Sequence, residues 1–65
     1  MNNRPIYRVL VRYKDSSMYM YDFFYKDNAE KLLNDPGLPW NITSEVVLFE
    51  SKDGCEWTVA ERRTS

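Results

Sequence analysis

The chain has 65 residues and a mass of 7.8 kDa, with nine Lys and Arg, ten Asp and Glu, no His and one Cys. A chain this short buries only roughly 60% of its unfolded surface, which leaves room for one small core and none for a dinucleotide fold or a deep catalytic cleft. Apolar residues at 43% and charged residues at 29% exclude a disordered composition, and 15% of aromatics is high for so small a core.

Residues 6–13 and 18–25 are rich in β-branched, aromatic and other apolar side chains and flank Lys14-Asp15-Ser16-Ser17. That pattern predicts two strands and a short turn, a first hairpin over 6–25. With Lys14-Asp15-Ser16 as the loop, Val11 faces Tyr19, Val9 faces Tyr21 and Tyr7 faces Phe23, an uncharged face that reads as the core. The other face sets Leu10 against Met20, Ile6 against Phe24 and Arg8 against Asp22, beside Arg12 and Met18. It is half apolar.

Asp27-Asn28-Ala29-Glu30 reads as a capping-box start with Asp27 as N-cap. Ala29, Leu32 and Leu33 then fall at helical spacing and predict a short helix over about 28–34. Asn34-Asp35-Pro36-Gly37 stops it, because Pro lacks a donor and Gly accepts left-handed geometry. A loop over 35–43 follows, in which Trp40 is expected to cap one end of the core.

The segments 45–51 and 55–62 predict a second hairpin, 44–62 in all, around Lys52-Asp53-Gly54. This turn sets Ser51 opposite Cys55, Phe49 opposite Trp57 and Val47 opposite Val59, an apolar inward face. Glu50 and Glu56 meet on the outer face, a like-charge pair that calls for solvent. Glu61-Arg62-Arg63 is expected to be a frayed, solvated end. The expected fold is α+β: a single domain over 1–65, β-β-α-β-β, a four-stranded antiparallel sheet with one short helix packed on one face.

One helix covers one face of such a sheet. The half-apolar face of the first hairpin is left open, and an exposed apolar patch rimmed by charge marks an interaction surface. Arg8, Leu10, Arg12, Met18, Met20 and Phe24 are the candidate partner-binding residues. Met, Leu and Phe would anchor, and the arginines would match acidic groups on the partner. That partner is another protein, foreign or a second copy in a homodimer. If the other face is the exposed one, Tyr7, Tyr19 and Tyr21 become the contact set.

Other functions find less in the residues. Without His, acid–base or nucleophilic chemistry falls to Cys55 and ten carboxylates. Cys55 has Glu56 rather than a base as its neighbour, which suits a semi-buried structural side chain, and Glu50 and Glu56 have no cleft around them. No enzyme, cofactor or metal is expected. Single-stranded nucleic-acid binding is the alternative: Arg4, Arg8, Arg12 and Lys14 alternate onto one strand face, and exposed aromatics would stack on bases. Against it stand a net charge of −1, a pI near 5.2 and aromatics lying mainly on the face opposite the arginines.

The polar start Met1-Asn2-Asn3-Arg4-Pro5 carries no export signal, so a cytoplasmic location is expected and the acceptor-like Asn41-Ile42-Thr43 reads as chance. The longest apolar run, Val46-Val47-Leu48-Phe49, is far short of a membrane span, and no membrane partner is expected. No family motif stands out. The layout of two strands, a capped short helix and a hairpin with Lys52-Asp53-Gly54-Cys55-Glu56-Trp57 resembles small proteins of phages and mobile elements. That resemblance implies a stoichiometric binder or inhibitor of a host protein, acting by occupancy.

Overall fold

Period-two alternation on either side of a short polar turn produces the first hairpin. In the computed structural model, which describes residues 4–64, strands β1 (Tyr7–Tyr13) and β2 (Met18–Phe23) pair antiparallel. Helix α1 (Lys26–Leu33), β3 (Thr43–Glu50) and β4 (Thr58–Thr64) follow, and the sheet order is β2-β1-β3-β4, antiparallel throughout. The fold is the expected α+β arrangement. No helix among the described residues is long and apolar enough to cross a membrane.

The first hairpin keeps its predicted register, with Val11 opposite Tyr19, Val9 opposite Tyr21, Tyr7 opposite Phe23, Leu10 opposite Met20 and Arg8 opposite Asp22. Its turn closes through Tyr13 N donating to Ser17 O at 2.8 Å and Ser16 N donating to Tyr13 O at 3.1 Å. Ser16 takes φ 75°, the left-handed position that three-residue hairpin loops usually fill with Gly. The expected pairing of Ile6 with Phe24 is not formed. β2 ends at Phe23 because Phe24 and Tyr25 already bend toward the helix.

The helix also starts earlier than its sequence suggests. Tyr25 is the N-cap, in extended backbone and with no side-chain cap bond, so the expected Asp27 cap is absent. Only two residues separate β2 from α1, and the first turn is reached before Asp27, which sits inside it as a favourable charge near the positive helix end. The stop follows the reading: Asn34 N and Nδ2 both donate to Glu30 O, and Gly37 N donates to the Asp35 carboxylate at 2.8 Å.

One face of the sheet and the helix make the core. Val9, Val11, Val46 and Leu48 meet Ala29 and Leu33, all nearly inaccessible, while Tyr7, Tyr13, Phe23, Leu32, Leu38 and Trp40 close the margins. This corrects the second hairpin: Val46 and Leu48 face the helix, and Val47 and Phe49 face the other way. The β4 partners also change. Phe49 pairs with Val59 and Glu50 with Thr58, then an irregularity shifts the ladder so that Leu48 meets Glu61 and Val47 meets Arg62.

The physical reason is a longer turn than three residues. Ser51 Oγ accepts from Asp53 N and Gly54 N, and the Asp53 carboxylate accepts from Cys55 N at 2.8 Å and Glu56 N at 3.1 Å. These side chains draw the backbone donors of residues 53–56 away from the ladder, so β4 begins at Thr58. Cys55, expected opposite Ser51 and semi-buried, is exposed, with Arg4 Nη1 2.8 Å from its Sγ. The C-terminal arginines are not frayed either. Arg63 donates to Leu33 O at 2.8 Å and lies 5.1 Å from the Trp40 ring centre, tying β4 to the helix end.

Candidate protein-interaction surface

Cross-strand neighbours on one face of a sheet form rows, and three rows build the face that lacks a helix. The first runs Asp22, Arg8, Phe49, Val59; the second Met20, Leu10, Val47, Arg62; the third Met18, Arg12, Glu45, Thr64. Of the sequence-derived candidates, this brings together Arg8, Leu10, Arg12, Met18 and Met20. Phe24 is exposed but lies beyond the end of β2, outside the rows.

The rows are not equally open. In the first, Arg8 Nε and Nη2 hold the Asp22 carboxylate at 2.7 and 3.2 Å, and Trp57 from the long turn stacks 4.3 Å from the Arg8 guanidinium. Those hydrogen bonds hold the Asp22 carboxyl below the usual carboxylate range and raise the Arg8 guanidinium further above neutrality, with burial opposing both. Arg8 is thus clamped on two sides, and this end of the face is built to be rigid.

The second row grades from buried to open. Val47 is 1% exposed although no helix covers it, Leu10 is half-buried, and Met20 at the sheet edge is 62% exposed. In the third, Glu45 is gripped by Arg12 at 3.2 Å and approached by Arg62 at 3.9 Å, with Met18 beyond them at 59% exposure. Exposed ion pairs of this kind contribute at most about 1 kcal/mol each. The Glu45 pair places Arg12 next to Met18, while Arg62 lies across the sheet on β4.

Sequence reasoning missed Val47 and Phe49, which it had placed inward, Arg62, which it had placed at a loose end, and Glu45, which it had assigned to neither face. The available signal was the run Val46-Val47-Leu48, since consecutive apolar residues in a strand imply burial on both faces. The basic stripe read from the sequence is broken up. Arg8 and Arg12 are paired with carboxylates, Arg4 lies before β1 against Cys55, and Lys14 is in the turn.

The helix-bearing face has its own uncovered margin. Tyr7 is half-buried against the core, whereas Tyr19 and Tyr21 on β2 are 54% and 46% exposed. Tyr13 and Tyr19 stack edge to face with ring centres 5.6 Å apart, at the mouth of a shallow cleft of about 550 Å³ that Tyr21, Asn41 and Ile42 also line. β2 is therefore exposed along both faces from Met18 to Asp22. No family model, curated protein or solved structure gives a significant match to the chain.

Proposed function

We propose that the protein is a non-enzymatic binding module that engages another protein through the helix-free face of its first hairpin. The observation that carries this reading is the pair Met18 and Met20, both more than half exposed, continuous with Leu10 and standing beside the arginines of the neighbouring rows. Methionine adapts to a partner's shape, and exposed apolar area with Arg at its border is the composition of an interface centre. The three rows carry three arginines against two carboxylates, on a chain whose net charge is −1. A partner offering an apolar surface bordered by Asp and Glu fits that local excess. The module acts by occupancy, and its resemblance in layout to small phage and mobile-element proteins fits an inhibitor of a host protein.

The test compares the wild-type chain with Met20→Asp and Arg12→Glu as baits against host extract. Arg12→Glu also sets two carboxylates together at Glu45, so Met20→Asp, which breaks no ion pair or hydrogen bond among the described residues, is the cleaner variant. Loss of the captured protein with Met20→Asp supports this face. Capture that survives both substitutions overturns it. Copurifying nucleic acid whose affinity falls steeply with salt would instead favour the nucleic-acid reading.

A further inference from the structure

We infer that the chain pairs with a second copy of itself edge to edge through β2, joining two four-stranded sheets into one of eight strands. The argument starts from backbone directions. Tyr13 and Ser17 share a hydrogen bond across the first hairpin, and hydrogen-bonded pairs recur at every second residue of an antiparallel ladder. Tyr19, Tyr21 and Phe23 therefore turn their N–H and C=O groups toward β1. Met18, Met20 and Asp22 turn theirs outward from the sheet, where β2 has no neighbour among the described residues.

Those outward groups are symmetric about Met20. A twofold axis through the sheet at Met20 sets Met20 against the partner's Met20, and Met18 against the partner's Asp22. Every outward donor then meets an outward acceptor with no overhang. The same axis keeps both helices on one side and both helix-free faces on the other. On the helix side, Tyr19 meets the partner's Tyr21, and both are already about half exposed although α1 also contacts β2.

Charge fits this register too. The one charged residue of β2 is Asp22, so no like charges oppose each other across the axis. Each Asp22 arrives beside the partner's uncharged Met18, with the partner's Arg12 the next residue of that row. Edge strands of stable monomers carry lysine, proline or a bulge to prevent such pairing, and β2 has none of these. β4 has a bulge and three charges, so the assembly closes at two copies.

Sedimentation equilibrium of the pure chain, with Met20→Pro and the pair Met20→Lys and Met20→Glu, tests the register. Because the Met20 N–H points away from β1, Met20→Pro removes no bond within the monomer and blocks the pairing. The wild type should be dimeric at about 0.1 mM, and Met20→Pro monomeric with an unchanged far-ultraviolet spectrum. Met20→Lys and Met20→Glu should each weaken the dimer at least about tenfold, and mixing them should restore it, because the two side chains meet on the axis. Should Met20→Pro fail to fold, the Lys and Glu pair decides alone. A wild-type monomer at about 1 mM, or a dimer untouched by these substitutions, overturns the inference. No partner protein enters this measurement, so its failure leaves the binding proposal standing, and the reverse holds.

Discussion

The two hairpins share a sheet but treat their strands in opposite ways. The β3–β4 hairpin buries Val46, Val47 and Leu48 on both faces and finishes in a bulged edge carrying Glu61, Arg62 and Arg63. The β1–β2 hairpin buries Val9 and Val11 on one face only and finishes in an edge whose residues from Met18 to Asp22 are all exposed. A small domain has apolar surface for one good core, and here it is spent on β1, β3 and α1. What remains apolar on β2 stabilises little in the isolated chain and is free to contact something else.

The sharpest way to break this contrast is one substitution at two positions of the same row. Val47 is 1% exposed and Met20 is 62% exposed, with only Leu10 between them. Val47→Asp buries a carboxylate whose cross-strand base, Arg62, already faces Glu45, and should cost about 3 kcal/mol, a large share of the stability of a chain this size. Met20→Asp should change stability by no more than about 0.5 kcal/mol. Urea denaturation of both variants reads the difference. Equal losses would mean that the helix-free face is packed uniformly and has no free margin.

The turns give a smaller contrast of opposite sign. Gly54 has φ +80°, and a Cβ built there would stand 2.8 Å from Arg4 Cβ, so Gly54→Ala should destabilise by at least about 1 kcal/mol. Ser16 holds a similar φ of 75° without being glycine. Ser16→Gly relieves that strain at some cost in unfolded-chain entropy, and should stabilise by about 0.5 kcal/mol. Thermal melts of the two variants should move in opposite directions. A fall for Ser16→Gly would show that the Ser16 side chain contributes more than its backbone strain costs.

These turns also explain how far the sequence could be read. In the first hairpin each pair follows from alternation, and the turn is short enough to fix the register, so Leu10, Arg12, Met18 and Met20 fell on one face as expected. In the second, Val46-Val47-Leu48 has no alternation to choose a face. The register depends instead on which backbone donors Ser51 and Asp53 capture, a matter of side-chain geometry that hydrophobic pattern does not encode. Arg63 was read as a loose end for a related reason: its partners, Leu33 O and the Trp40 ring, are distant in sequence.

Acid should separate the two turns by the smallest effect. Hydrogen bonds from Cys55 N, Glu56 N and Ser51 Oγ hold the Asp53 carboxyl below the usual carboxylate range, and those from Ser17 Oγ and N do the same for Asp15. A carboxyl lowered on folding stabilises the folded form above its unfolded value, near pH 3.9, and that contribution is lost as pH falls through the folded value. Both carboxyls are open to solvent, so protonation should loosen a turn rather than unfold the domain. The first turn retains its backbone bond from Tyr13 N to Ser17 O, whereas residues 53–56 depend on the Ser51 and Asp53 side chains. Amide protection, taken relative to the intrinsic exchange rate at each pH, should therefore fall at Cys55 and Glu56 below about pH 3.9 while Tyr13 stays protected. Asp53→Asn, which keeps an acceptor but cannot titrate in this range, should abolish the pH dependence at Cys55. If the Cys55 and Glu56 amides ignore both acid and that substitution, Asp53 does not hold the turn, and the shifted register of β4 has another cause.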